Sequence, residues 1–293
     1  MKTNWLKWGN DANETSRTGP AIGLLALSGS VVALLSAVAY SARPEIKGNL
    51  ALEADRAAAA AVLAEAFDAE PVLQRAAARR AAEILGDDSQ VGRQLAEAVG
   101  EASQAALSET LRATHKTLTF RPLVEAELPL GFPAPGPLGE IRIKDYPAYR
   151  MAVSDSGGAA FWTLFRHIKR NEIAMTAPVE MSFGPADAAR PAEQSMAFLY
   201  GSTALGQTGT EGNVEVVDAA PMTVVSLGLA GDRSMSRIET ARDRLLAWLA
   251  ADGRFEASGP MRVLGYNSPF VARDQRYWEV QIPVQPRAGD EAA

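Results

Sequence analysis

The chain has 293 residues, 47% of them hydrophobic, with 29 Lys and Arg against 35 Asp and Glu, two His, no Cys and a net charge of −6. That length accommodates about two ordinary domains, and the missing cysteine excludes disulfides, thiolate metal sites, a thiol nucleophile and covalent c-type haem attachment. The acidic balance offers no basic footprint for nucleic acid, and His115 and His167 alone are too few for a multi-histidine zinc site.

Arg outnumbers Lys 23 to 6 and Ala is abundant, which reads as the codon bias of a GC-rich bacterial genome. Residues 18–42 carry no charge, and Ala21 to Tyr40 is broken only by Gly and Ser. Twenty helical residues at ~1.5 Å each span about 30 Å, the thickness of a bilayer core. The reading is a single transmembrane anchor over residues 18–42, after an N-terminal tail of residues 1–17. A cleaved signal peptide is the rival, since Ala37-Val38-Ala39 has the small-x-small form; the apolar run exceeds the roughly 7 to 15 residues of a signal core, which favours the uncleaved anchor. Lys2, Lys7 and Arg17 precede it and Arg43 and Lys47 follow, a weak charge bias that leans toward a C-terminal bulk on the extracytoplasmic side.

Residues 43–115 are rich in Ala and helix formers, with 8 basic and 12 acidic side chains. Breaks at Asp68 to Pro71 and Gly86 to Ser89 divide them into three helices, with Pro71 suited to a first helical position and Gly86 to a C-terminal cap. Val91, Leu95, Val99, Ala102, Ala106 and Leu111 form one modest apolar stripe. Small Ala side chains bury little area, so the segment reads as a helical stalk with possible self-association. Five prolines between Arg121 and Pro137 then make residues 116–137 an extended linker.

The remaining globular domain, residues 138–287, ends before a short tail of residues 288–293. Ile141 to Lys144 alternates as a strand does; Phe161, Leu164, Phe165 and Ile168 have helical spacing; Ala174 to Phe183 and Met196 to Tyr200 read as strands. A second copy follows at an offset of 73, from Val214-Glu215-Val216 through a strand at Met222 to Leu227. A capping box at Ser236 to Glu239 opens a helix with Ile238, Leu245, Trp248 and Leu249 on one face, Gly253 ends it, and strands at Met261 to Gly265 and Tyr277 to Pro283 follow. Two strand-helix-strand-strand halves predict a tandem α+β domain with pseudo-twofold symmetry, and ligands of such sheets favour the groove where the halves meet.

Three strings then narrow the reading: Phe161-x-x-Leu164-Phe165-x-His167-Ile168 running into Ile173-Ala174-Met175-Thr176-Ala177-Pro178-Val179, then Gly265-Tyr266-Asn267-Ser268-Pro269-Phe270, then Trp278-Glu279-Val280. In order and spacing they resemble the SOUL haem-binding protein family over roughly residues 138 to 285. The resemblance implies duplicated β-α-β-β units forming a distorted antiparallel barrel with two flanking helices. It also implies reversible binding of haem or another tetrapyrrole in an apolar groove beside the first helix. Candidate binding residues are Phe165, Arg166, His167, Met175, Tyr266 and Phe270. Arg166 stands where a relative has Lys and could pair a propionate; His167 is the sole imidazole available to this domain as an axial metal ligand. Some members carry His directly before the first-strand Tyr, where this chain has Asp145 before Tyr146, and a relative's rim Lys falls here on Val271, with Arg273 the nearest cation.

The sequence therefore reads as a membrane-anchored, non-catalytic tetrapyrrole binder that buffers or carries its ligand. Two rivals stay open. One is an enzyme on a small hydrophobic substrate, with Glu180 and Tyr266 as base and acid. The other is a tethered interaction adaptor acting through the Leu95, Val99 and Leu111 stripe.

Overall fold

The computed structural model describes residues 44–287 apart from Ala102 and Val124. The expected anchor at residues 18–42 lies outside the described residues, and so do the N-terminal tail and residues 288–293. Among the described residues no helix is long and apolar enough to cross a membrane. The chain divides into two compact units at Phe120/Arg121.

Among the described residues the first unit contains four helices, α1 (Pro44–Glu65), α2 (Pro71–Leu85), α3 (Gln90–Glu101) and α4 (Gln104–Thr119). The breaks fall at the expected places: Pro71 opens α2 where a missing amide costs nothing, and Gly86 (φ 74°) follows its end. A further break comes at Ser103, whose side chain accepts the Ala106 amide and caps α4. That break resets the helical phase. The stripe predicted through Ala106 therefore passes to Leu107, and Leu107, Leu111 and Leu118 join Leu63, Leu95 and Val99 in one core. Arg56, 1% exposed, runs through this core to the Thr117 carbonyl, 2.8 Å away.

The second unit holds ten strands and two helices. These are β1 (Ile141–Tyr146), β2 (Tyr149–Asp155), α5 (Ala160–Arg170), β3 (Val179–Pro185), β4 (Glu193–Leu199), β5 (Gly209–Glu211), β6 (Val214–Ala219), β7 (Met222–Ala230), α6 (Met235–Asp252), β8 (Phe255–Ala257), β9 (Pro260–Gly265) and β10 (Tyr277–Pro286). All the ladders are antiparallel, in the order β1-β7-β10-β9-β3-β4-β2-β6-β5, with β8 on β10. Exchanging each first-half strand for its second-half counterpart (β1 for β6, β2 for β7, β3 for β9, β4 for β10) reverses this order from β1 to β6 and leaves it otherwise unchanged. The register repeats as well: Tyr146 pairs with Met222 and Tyr149 with Ala219, counterparts 73 positions apart. The duplication read from the sequence is thus a property of the hydrogen-bonding pattern, with the junction of the halves at β3 and β9.

The sheet is open rather than the closed barrel expected, with β1 and β5 at its ends. It is nevertheless strongly curled. Only Pro147 and Ala148 join β1 to β2, and only Ala220 and Pro221 join β6 to β7, although each pair sits near opposite ends of the strand order. Strand alternation separates the two faces. Val225, Leu227, Val263, Val280 and Ile282 pack on Ile238, Ala241, Leu245 and Leu249 of α6, while Ala152, Phe198 and Val216 pack on Leu164 and Ile168 of α5. The intervening residues Lys144, Tyr146, Tyr149, Glu180, Ser226, Arg262, Glu279 and Gln281 form the opposite, polar face.

Three local expectations differ. The strand foreseen from Ala174 begins only at Val179, because Pro178 offers no amide to a ladder and Thr176 bonds through its side chain to Leu199 O at 2.6 Å. The capping box at Ser236 does not form: Ser234 is the N-cap, and the Ser236 carbonyl accepts the Thr240 hydroxyl inside the helix. Finally, the proline-rich stretch is extended, yet it packs on the sheet. Phe132 meets Tyr146 and Tyr149 edge-on, with ring centroids 4.9 and 5.1 Å apart.

Gly228 explains how β7 tolerates its neighbours. A Cβ there would lie 2.4 Å from the Tyr277 hydroxyl, so the strand needs glycine for close approach. Gly228→Ala should cost roughly 1–3 kcal/mol through overpacking, and Leu164→Ala, at a fully buried α5 position, roughly 2–5 kcal/mol. Both are read as lowered urea midpoints in near-UV circular dichroism.

Candidate functional site

Helix α5 is amphipathic in an unusual way, because its outer flank is aromatic. Ala160, Leu164, His167 and Ile168 are buried, whereas Phe161 and Phe165 are half-buried and Trp162 is 46% exposed. The three rings form one cluster. Phe161 and Phe165 lie parallel at 6.3 Å, Trp162 meets Phe161 edge-on at 5.4 Å and Phe165 at 5.9 Å, and Phe161 rests on Phe198. Met175 and Val179, both partly buried, pack against the same core. Arg166 is exposed on this helix. Flat apolar rings beside a cation suit a planar ligand with anionic edge groups. Trp162, Phe161 and Val179 were missed as site residues. For Phe161 and Trp162 the signal was present, a Phe-Trp-x-x-Phe run that puts aromatics on adjacent helical positions, but helical spacing assigned Phe161 to the inward stripe and left Trp162 outside it.

His167 faces the other way. It is 4% exposed; its Nδ1 lies 2.9 Å from Glu211 Oε2 and its Nε2 lies 2.9 Å from the Tyr200 hydroxyl. A carboxylate only accepts, so Nδ1 carries the proton and Nε2 accepts from Tyr200. In this arrangement neither ring nitrogen is free for a metal. Asn171 donates to Glu211 Oε2 at 3.0 Å, and that bond, with the Arg170 charge, outweighs desolvation and holds the Glu211 carboxyl below its ordinary range. His167, Asn171, Tyr200 and Glu211 border a cavity of about 350 Å³, lined also by Thr208 and Val216. Among the described residues no group of three or more His, Asp or Glu could hold a metal ion.

The other sequence candidates are dispersed. Met175 and Tyr266 line one crevice of about 20 Å³, room for little more than a water molecule. Phe270 is 82% exposed beyond the end of β9. Glu180 and Tyr266, the acid–base pair of the enzymatic reading, do not meet. Glu180 Oε2 accepts from Tyr149 and Arg262, each at 3.0 Å, and the Tyr266 hydroxyl donates to Glu279 at 3.3 Å.

Sequence reasoning did not find the polar face of the sheet, where Glu279 is fully buried. Lys144 donates to its Oε1 at 2.6 Å and the Gly136 amide at 2.7 Å; Gln281 donates to Oε2 at 2.7 Å and Ser226 at 3.2 Å. Burial alone would push this carboxyl up. The Lys144 charge and the hydrogen bonds overturn that and hold it below the ordinary value.

The model of the SOUL heme-binding protein family matches residues 139–283. No curated protein matches the chain. Among solved structures it is similar to the C-terminal domain of EcmrR (15% identity over 50% of this chain and 98% of that one, TM-score 0.39). It is also similar to a hydrolase from Listeria innocua (13% identity, 52% and 94%, TM-score 0.36) and to SAV2435 bound to tetraphenylphosphonium (11% identity, 50% and 94%, TM-score 0.33).

The polar face has an alkaline signature. Burial, reinforced by the Glu279 or Glu180 charge, pushes the Tyr146, Tyr149, Tyr266 and Tyr277 phenols up. The stability they confer is complete below the ordinary phenol value of about 10 and declines as pH rises from there toward the folded values. Phenolate absorbance near pH 11 should therefore report at most two of the six tyrosines while near-UV dichroism remains native. Four or more titrating in the folded chain would contradict this.

Proposed function

Through residues 139–283 the chain belongs to the SOUL heme-binding protein family, and on that premise we propose that it binds haem or another tetrapyrrole reversibly on the outer flank of α5. One observation carries the reading: a large aromatic, Trp162, stands 46% exposed in a cluster with Phe161 and Phe165, apolar area that a macrocycle would cover. At roughly 25 cal/mol per Å², covering such area supplies affinity without an axial bond. Arg166 sits beside the rings to meet a propionate, and His167, engaged with Tyr200 and Glu211, takes no part in ligation. The domain then acts as a buffer or carrier, with residues 18–42 tethering it to a bilayer and the domain on the extracytoplasmic side. The enzymatic alternative has no support in the geometry, since Glu180 and Tyr266 are held by different partners.

Hemin titration of the full chain should change the Soret band and quench Trp162 fluorescence, the latter identified by its loss in Trp162→Phe. No Soret change at tens of micromolar hemin would remove the proposal. His167→Ala should leave the Soret change intact while lowering stability by about 1–3 kcal/mol, because Tyr200 and Glu211 lose a partner. If the change instead vanishes in a folded variant, His167 ligates the iron.

Arg166→Ala should weaken hemin binding by about 1.5–3 kcal/mol, or one to two decades, if a charged hydrogen bond to a propionate is lost. A porphyrin diester should bind the variant and the unsubstituted chain alike.

A further inference from the structure

The segment Pro129 to Pro137 has an environment unlike that of a linker. Prolines at 129, 133, 135 and 137 have no amide to donate, and residues 132–137 belong to no strand or helix. Sheet side chains, rather than a strand ladder, meet the backbone at Ala134 and Gly136. Lys144 Nζ donates to Ala134 O at 2.9 Å, Glu279 Oε1 accepts the Gly136 amide at 2.7 Å, and the Tyr277 hydroxyl lies 2.7 Å from Gly136 O. Phe132 is set between Tyr146 and Tyr149. At its flanks the Leu130 amide bonds to Gly201 O, and Glu127 O accepts the Ala177 amide.

We propose that the polar face of the curled sheet is a binding groove for an extended, proline-rich peptide, which the chain's own Pro129–Pro137 segment occupies. Aromatic rings with interspersed donors are how proline-rich segments are generally recognised, because such segments are preformed and leave their carbonyls free. The groove has rings in Tyr146, Tyr149 and Tyr277, a carbonyl donor in Lys144 and an amide acceptor in Glu279. A buried ion pair such as Lys144–Glu279 is a poor source of stability; here both of its charges are turned to a passing backbone. A glycine permits the approach: Gly228 leaves room for the Tyr277 ring, whose hydroxyl a Cβ there would meet at 2.4 Å. The occupant in place fixes the chemistry of any competitor: a proline-rich strand with small residues between the prolines and one aromatic. An outside peptide reaches only the fraction of molecules whose own segment has left, so its apparent affinity falls by that fraction.

The test is a fluorescently labelled peptide of residues 127–138, added to the full chain and followed by anisotropy. Phe132→Ala, which removes the ring between Tyr146 and Tyr149, and Gly136→Pro, which removes the amide that Glu279 accepts, weaken the resident segment and leave the groove's own side chains unchanged, so each variant should bind the peptide at least about tenfold more tightly than the unsubstituted chain. A peptide carrying Ala in place of its own Phe should bind neither. Equal binding to variants and unsubstituted chain, or none to the folded variants, overturns the proposal. Should the variants lose native near-UV dichroism, hydrogen exchange of the unsubstituted chain decides. Gly136 and Leu130 amides exchanging well ahead of β10 show a segment that leaves the groove, and exchange together with β10 overturns it.

Discussion

A carboxylate sealed from water governs the second unit. Isolating Glu279 without partners would cost several kcal/mol, and its partners come from β1, β7, β10, the proline-rich segment and Tyr266, just past the end of β9. None of these can be displaced without leaving a buried charge short of a hydrogen bond. The network also limits what the sheet can become. Apolar side chains already fill the helix-facing side, so the curl of the sheet encloses the polar groups. They remain tolerable only because Lys144 and Arg262 match Glu279 and Glu180 in charge.

This division of faces separates two kinds of chemistry in one small domain. On the α5 side the apolar face of the sheet supports the helix, whose aromatic flank reaches the surface. On the opposite side the prominent groups are polar and linked by hydrogen bonds. The tetrapyrrole and the peptide backbone proposed above would therefore call on different surfaces. The His167, Tyr200 and Glu211 cluster belongs to neither surface. It closes the C-terminal end of α5, where Lys169 and Arg170 oppose the negative end of the helix dipole.

How much of this was legible varied with the physics of each feature. The duplication was legible because strand alternation and helix spacing recur at a fixed offset, and the sheet repeats them in its register. Helix ends marked by Pro71, Gly86 and Gly253 were legible because those residues act locally. The Ser103 break was not, since a single serine cap carries no more signal than the helical stripe that runs through it. His167 looked like a flank residue because its partners, Tyr200 and Glu211, are 33 and 44 positions away. Lys144, Glu279 and Arg262 looked like ordinary strand polar residues. Burial on the inside of a curl depends on how strands distant in sequence meet, and no local pattern records it. Phe161 was visible but was assigned to packing, and Trp162 falls outside the helical stripe that the spacing defines.

The proline-rich segment is also the only covalent path from α4 to β1. Tension drawn along the chain between the two units would fall first on the side-chain contacts of Lys144, Tyr277 and Glu279. These would be loaded one after another as the segment lifts. The strand ladders behind them would be loaded in shear, with all their hydrogen bonds sharing the force. The segment should therefore peel at a force the sheet withstands, a weak mechanical element in series with a strong one.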